Sequence, residues 1–232
     1  MATTLATLNT NLGYHLGCTL AATGTRWTTT QTSVLLNQAL KKVVAELLAA
    51  KCWHLLRELE DEVEYTLTGA TSYNMYTALG NSTDYQAFIG GRIGQYTVRE
   101  ATIEEEHRTQ SSHEYEPTAL TPWIIFFDYD STENHGNLPV FRIKPSATTG
   151  TFYIRYLKNS PTMASGESAV NFPLPPHCEE AVLFLAAAYC WSGDRNGEEF
   201  NRFYQLHKAE MTDLITQYEQ PIYSDVYNEP IT

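Results

Sequence analysis

The longest helical pattern in the chain is WTTTQTSVLLNQALKKVVAELLAAKCWHLLREL, residues 27–59. Thr28 and Gln31 have the spacing of a capping box, in which each of the two side chains accepts a backbone N–H of the first turn. Apolar residues then recur at intervals of four and three, which places them on one face of a helix. Because no glycine or proline interrupts the pattern, it predicts a single helix of about 30 residues. Its predicted core positions are Leu36, Leu40, Val43 and Leu47.

A second helical region lies near the other end of the sequence. It begins at Leu174-Pro175, where a proline suits the first turn of a helix, and continues to about Tyr218. Residues 181–191 are apolar on almost every side, so we expect several neighbours to pack around them. Ser192-Gly193 ends that helix, and the next one should fold back as its antiparallel partner because the connection is short. The predicted core positions here are Val182, Leu185 and Phe203.

The sequence between the two helical regions has the period of β-strands. The predicted strands are Glu62 to Thr68, Gln95 to Ile103, Trp123 to Tyr129, Leu138 to Lys144 and Thr151 to Leu157. The last two are joined by residues 145–150 and make the best candidate for a hairpin. The stretch from Thr68 to Gly94 is rich in Thr, Ser, Asn, Tyr and Gly, and we expect a long loop there with a short helix at Tyr73 to Leu79.

Together these patterns predict an α+β fold. The long N-terminal helix, a shorter helix at Leu5 to Leu16 that Gly17 ends, and the C-terminal antiparallel pair are expected to form a helical bundle from residues 1–61 and 172–220. Residues 62–171 should form an antiparallel β-rich insert that projects from the bundle. Residues 221–232 are expected to be an extended tail that cannot bury its own apolar side chains.

Composition and charge exclude several classes of protein. Of the 232 residues, 43% are hydrophobic, which is enough for a substantial core. The formal net charge of −12 is opposite in sign to that of a typical nucleic-acid-binding module. No apolar run approaches the roughly 20 residues of a membrane span, and the N-terminus lacks the basic and apolar regions of a signal peptide. The four cysteines lack zinc-binding spacing, so we expect them to be reduced and structural.

The densest polar cluster runs from Glu104 to His107 and is followed by His113 to Glu116. Histidine and carboxylate groups together could bind a metal or transfer protons, but the spacing fits no zinc or nuclease motif and few apolar residues would shield the site. A solvated acidic loop is therefore the favoured interpretation. His54 and His207 are expected to be packed or surface residues of their helices. We predict no catalytic residue, no metal ligand and no cofactor. The alternative is an enzyme or sugar-binding module that uses this cluster or the tyrosine-rich insert.

Three groups of residues, taken in order, carry a family resemblance. The first is Trp27-Thr28-x-x-Gln31 leading into Leu36-Asn37-x-Ala39. The second is Phe141-x-Ile143-x-Pro145, followed by Tyr153-x-x-Tyr156 and Pro161. The third is Leu174-Pro175, followed by Glu180-Ala181-Val182 and Ala186-Ala187-Ala188. In this order and spacing the chain resembles the head–tail adaptor (connector) proteins of tailed bacteriophages, over most of its length.

The resemblance implies a non-enzymatic virion protein at the head–tail junction, assembled in the host cytoplasm. Such proteins most often form a ring of twelve copies that joins the portal of the head to a tail or nozzle protein, and viral DNA passes through the lumen without specific contacts. The acidic charge agrees with this role because a negative lumen does not retain DNA. Alternatives are another neck or tail assembly protein (a stopper, a tail-completion or a tube protein) and a metal-dependent or sugar-binding tail protein. The predicted portal-binding residues lie in the tail and are Pro221, Ile222, Tyr223, Val226, Tyr227 and Ile231.

Overall fold

The computed structural model describes residues 3–23, 25–109, 116–129, 138–164 and 171–218. The fold is mixed α+β, as the sequence predicts. The described residues divide into two compact units. One consists of the residues up to Leu59 together with those from Ser160 onward, and the other of the residues from Glu60 to Asn159.

Among the described residues, helices and strands follow one another in a fixed order. They are α1 (Leu5–Leu16), α2 (Thr29–Ala49), a 3₁₀ helix (Trp53–Leu59), β1 (Glu60–Thr68), β2 (Tyr73–Asn74), α3 (Met75–Ala78), β3 (Ala87–Ile93), β4 (Tyr96–Glu100), α4 (Ile103–Thr109), β5 (Trp123–Tyr129), β6 (Pro139–Lys144), β7 (Thr149–Leu157), a short 3₁₀ helix (Pro176–Cys178), α5 (Glu179–Gly193) and α6 (Gly197–Tyr218).

Local capping interactions set the first helix boundaries. Gly17 adopts a left-handed conformation with φ of 65° and ends α1, as predicted. The predicted capping box at the start of α2 is confirmed. The Gln31 backbone N–H donates to the Thr28 hydroxyl at 3.2 Å, and the Thr28 backbone N–H donates to the Gln31 side-chain oxygen at 3.0 Å. Two backbone donors that helix geometry leaves free are thereby satisfied.

The prediction of one uninterrupted helix of about 30 residues is wrong, because α2 ends at Ala49. Lys51 adopts a left-handed conformation with φ of 57°. Its N–H donates to the Leu48 carbonyl at 3.0 Å, and the N–H of Cys52 donates to the Leu47 carbonyl at 3.0 Å. This is the pattern of a Schellman cap, which usually has glycine where Lys51 stands. The left-handed lysine costs about 1–2 kcal/mol, and burial of Cys52 and the 3₁₀ helix that follows offsets this cost.

Helix α5 is the most enclosed helix of the first unit. It packs against α1, α2 and α6, which explains why its sequence is apolar almost all round. Its connection to α6 passes through Arg195, at φ of 58°, and the Asn196 side chain caps α6 by accepting the Glu199 N–H at 3.3 Å. The Phe184 and Phe203 rings lie 6.4 Å apart. The seven positions assigned to the helix core, which are Leu36, Leu40, Val43, Leu47, Val182, Leu185 and Phe203, are between 0% and 4% exposed.

The second unit is built on a curled, seven-stranded sheet with the order β1-β7-β3-β4-β5-β6-β2. All neighbouring strands pair antiparallel except β4 and β5, which are parallel. The two edge strands approach each other through their side chains, because the rings of Tyr65 on β1 and Tyr73 on β2 lie 5.8 Å apart. The core inside this curl includes Phe141 and Phe152, both fully buried.

The predicted hairpin of the strands at Leu138 to Lys144 and Thr151 to Leu157 is wrong. These segments form β6 and β7, but β7 pairs with β1 along nine residues on one side and with β3 on the other. Both hydrogen-bonding edges of β7 are therefore occupied, and β6 pairs with β5 and β2 instead. The two segments meet only through side chains, as where the Phe141 and Phe152 rings lie 6.1 Å apart. The nine-residue pairing of β7 with β1 thus forms in place of the predicted local pairing of β7 with β6.

The expected loop from Thr68 to Gly94 contains strands that were not predicted. Tyr73–Asn74 forms the two-residue strand β2, and Ala87–Ile93 forms β3. A side chain at Gly91 would put its Cβ 2.5 Å from the Phe152 ring and 2.7 Å from the Tyr153 carbonyl oxygen. The glycine therefore permits the close approach of β3 to β7, a role that glycines inside strands often have. Gly94, at φ of 60°, lies in the turn between β3 and β4.

We expect Gly91→Ala to lower the free energy of unfolding by about 1–3 kcal/mol, since the new methyl group must displace Phe152 or the β7 backbone. The matched control is Gly90→Ala, because a Cβ at Gly90 meets no atom within 4 Å. That variant should be neutral or slightly stabilising. Urea denaturation of both variants measures the difference. Equal stability of the two would show that β3 does not pack on β7 at this register.

Candidate functional site

The residues predicted to bind the portal lie outside the described part of the chain, which ends at Tyr218. The described residue nearest to this segment is Tyr218, the last residue of α6. The Tyr218 ring stacks with His177 at 4.9 Å and with His54 at 6.0 Å, at interplanar angles of 13° and 15°. His54 and His177 are exposed residues that hold the end of α6 against the rest of its unit. The end of α6 is therefore held by two ring contacts.

The prediction of a solvated acidic loop at Glu104 to His107 is wrong. These residues belong to α4, and the predicted strand from Gln95 to Ile103 ends at Glu100. Thr102 and Glu105 form a capping box: the Thr102 N–H donates to Glu105 at 2.8 Å, and the Glu105 N–H donates to the Thr102 hydroxyl at 3.1 Å. The Thr102 backbone N–H lowers the pKa of Glu105, and Arg99 adds to this effect. Residues 113–115 lie outside the described residues.

Glu106 is the buried member of this cluster, with 6% of its surface exposed. Its carboxylate forms ion pairs with the Arg142 guanidinium and, at 3.2 Å, with the Lys144 ammonium group. Arg142 and Lys144 are alternate residues of β6 and so point to the same face of the strand. A cavity of about 210 Å³ adjoins Glu106 and Lys144. Because both cations flank one carboxylate, the cluster ties α4 to the sheet.

We expect Glu106→Gln to lower the free energy of unfolding by about 2–3 kcal/mol, because it leaves two half-buried cations without their counter-charge. His107→Ala is the control on the same helix; His107 is exposed, so its loss should change stability by less than about 0.5 kcal/mol. Thermal unfolding at neutral pH compares the two. If the Glu106→Gln protein is as stable as the His107→Ala protein, the ion pairs of Glu106 do not stabilise the fold.

The remaining candidate groups are packed into the helical unit. His207 is fully buried; its Nδ1 donates to the Ala181 carbonyl at 2.9 Å, and its Nε2 lies 3.4 Å from the Glu46 carboxylate. This side chain therefore links α2, α5 and α6. All four cysteines are free thiols, and burial raises the pKa of Cys178 and of Cys190 to about 12. Such thiols are unreactive at neutral pH. Among the described residues, no group of three or more His, Cys, Asp or Glu could hold a metal ion.

A groove lies between α1 and the beginning of α2 and is called here the α1/α2 groove. It has a volume of about 450 Å³ and is lined on the α1 side by Ala6, Thr10 and Tyr14 and on the α2 side by Thr30 and Ser33. Its floor is closed by Asn9, which donates to the Ser33 hydroxyl at 3.0 Å and accepts from Thr32 at 2.6 Å. The sequence reasoning above did not single out this groove.

Comparison with known protein families shows the family to which the chain belongs. The model of the SU10 adaptor protein family matches residues 3–231, almost the whole chain and including the tail. The chain belongs to the SU10 adaptor protein family. Members of this family are structural adaptors of bacteriophages, so the resemblance found in the sequence is confirmed at the level of the family. No curated protein sequence matches the chain.

Membership in the SU10 adaptor family bears on several of the predictions. The family is a structural one and not a family of enzymes. It implies a place in the virion and contacts with portal and tail proteins. None of the helices in the described part of this family member combines the length and the hydrophobicity that a membrane crossing requires. The functional site of an adaptor is its contact surface, and the α1/α2 groove and the tail are the two candidates for such a surface.

Proposed function

We propose that the chain forms a closed ring at the head–tail junction of the virion, where it joins the portal to a tail or nozzle protein and lets viral DNA pass through its lumen. The observation that carries this proposal is the match of the SU10 adaptor family over residues 3–231. We propose that each ring contains twelve copies and that it assembles in the host cytoplasm. Viral DNA would be a passing cargo that no residue binds specifically.

The charge of the chain supports passage of DNA. With a formal net charge of −12 on each copy, twelve copies would carry on the order of −144. DNA has one negative charge per phosphate, so an acidic lumen repels it and prevents it from sticking to the wall. A closed ring also explains how a head-to-tail interface can repeat without producing filaments, because the rotation between copies returns to the first copy.

Each part of the chain has a proposed role in this assembly. The helices of the first unit form the bundle that acts as the rigid body of each copy, with α5 at its centre. The β unit, Glu60 to Asn159, presents its loops to other proteins of the neck. The tail residues Pro221, Ile222, Tyr223, Val226, Tyr227 and Ile231 bind the portal. Weak contacts of each tail become strong together when the ring presents all of them at once.

Cryo-electron microscopy of complete particles of the phage that encodes the chain tests this function. We expect density for a closed ring of this protein between the portal and the tail, with a central channel wide enough for duplex DNA. Density in a six-fold tail tube would favour the alternative of a tube protein. Absence of the chain from purified particles would refute a structural role in the virion altogether.

A further inference from the structure

The beginning of the chain is strongly depleted in charge. Residues 1–40 contain one charged side chain, Arg26, whereas 18% of the whole chain is charged. Arg26 forms an ion pair with Asp194, and its guanidinium carbon lies 4.7 Å from the ring centres of both Trp27 and Trp191. The only histidine of this region, His15, lies 3.3 Å from Glu180. The described residues of α1 and of the first three turns of α2 therefore present a surface without unpaired charge.

Two large side chains stand exposed on this uncharged surface. Tyr14 on α1 is 79% exposed, and Val34 on α2 is 54% exposed. Tyr14 lines the α1/α2 groove, and Val34 directly follows Ser33, which also lines it. Exposed aromatic residues and a lack of charge are features of the centre of protein–protein interfaces. A side chain of another protein chain could enter the groove beside Tyr14.

Three polar side chains of the groove, Asn9, Thr10 and Ser33, are already hydrogen-bonded within the helical unit. The Thr10 hydroxyl donates to the Ala6 carbonyl at 3.0 Å, and the Ser33 hydroxyl donates to the Thr29 carbonyl at 2.6 Å. The Asn9 amide uses both its oxygen and its nitrogen on residues of α2. A site for a small polar ligand needs convergent, available polar groups. These satisfied groups fit a protein surface better than a small metabolite.

We propose that the surface formed by α1, the first three turns of α2 and the α1/α2 groove between them is the interface with a second copy of this chain. Each copy carries a net charge of −12, so copies repel one another wherever their charged surfaces face. Helix α6, unlike α1 and the first three turns of α2, carries six charged side chains among its 22 residues. An uncharged face is where a like-charged copy can approach without that repulsion. This inference rests on the proposed ring, and it identifies one of the two surfaces that meet between neighbouring copies.

The first experiment compares Val34→Glu with Val34→Gln in the full-length protein. The two side chains have nearly the same size and differ in charge, and both replace an exposed residue, so neither should change the circular dichroism or the melting temperature. We expect Val34→Glu to reduce the yield of rings, counted on particles or by mass photometry of the free protein, by at least about tenfold relative to Val34→Gln. Equal ring yields for the two variants would overturn the proposal.

The second experiment identifies what lies against the groove. Tyr14→p-benzoylphenylalanine, expressed together with wild-type protein, is incorporated into particles and irradiated. We expect an adduct close to twice the mass of the 26.2 kDa chain, with both parts derived from this protein by mass spectrometry. An adduct with the portal or a tail protein, or none in particles that contain the labelled chain, would refute a copy–copy interface while leaving the adaptor function intact. Absence of wild-type chain from particles would instead refute the proposed function.

Discussion

Replacing Leu47 by aspartate is expected to unfold the helical unit. Leu47 has no exposed surface and lies in the last turn of α2, which packs against α5. The change removes buried apolar surface at a cost of about 2–5 kcal/mol and places a carboxylate in the core at a further cost of several kcal/mol. A domain of this kind is stable by about 5–15 kcal/mol in total, so the sum takes most or all of it. Circular dichroism and gel filtration measure the loss of folded protein.

Ala45→Asp is the control on the same helix. Ala45 is exposed and two residues away, so aspartate there should cost only its lower helix propensity, about 0.5–1 kcal/mol. This variant should remain folded with a slightly lower melting temperature. A soluble Leu47→Asp protein with the spectrum and melting temperature of the wild type would mean that the apolar stripe of α2 does not face the core.

The local signals of the sequence correctly predicted the beginning of α2 and the end of α1, but not the end of α2. The Thr28 and Gln31 capping box and the glycine end of α1 depend on neighbouring residues only. The end of α2 depends on Lys51, which enters a left-handed conformation that its own side chain disfavours. That conformation persists because Cys52, Leu55 and Leu56 are buried, which is a tertiary effect that the sequence pattern does not contain.

The strands were located more accurately than their partners were. Trp123 to Tyr129, for example, is rich in aromatic and β-branched residues and forms a strand at the predicted place. Pairing was mistaken because β7 found a nine-residue partner in β1, more than 80 residues earlier in the chain. Hairpin reasoning favours short connections, and it cannot compare a near partner with a distant one that pairs along more residues. The strand at Gly91 was missed because glycine reads as a turn unless the ring that it accommodates, Phe152, is known.

The candidate sites could be predicted only in part. The Thr102 and Glu105 capping box has a readable sequence signature, and attention to it would have placed α4 correctly. The partners of Glu106, Arg142 and Lys144, are 36 and 38 residues away, and only the fold brings them together. The absence of charge from residues 1–40, apart from Arg26, was visible in the sequence. It became informative only when the structure showed that Tyr14 on α1 and Val34 on α2 are exposed.

Deletion of residues 221–232 is expected to abolish docking of the protein onto filled heads while the fold is retained. The last described side chain, Tyr218, keeps its stacking contacts with His54 and His177 in the truncated chain, so α6 should stay in place and the melting temperature should change little. The deleted segment carries the apolar residues proposed to fill pockets of the portal. Because ring contacts act together, their loss should lower the yield of joined particles by at least about 100-fold. In vitro complementation of tailless heads measures this yield.

Two full-length variants separate the apolar contribution of the tail from its acidity. In the first, Ile222, Tyr223, Val226 and Tyr227 are replaced by serine, and we expect the same loss of docking as in the deletion because the aromatic anchors are gone. In the second, Asp225 and Glu229 are replaced by their amides, and docking should change by less than about tenfold because exposed ion pairs contribute little each. If the truncated protein joins heads as efficiently as the wild type, the portal contact lies on another surface of the adaptor. If only the amide variant fails, the tail acts through its charge and the assignment of the apolar residues is wrong.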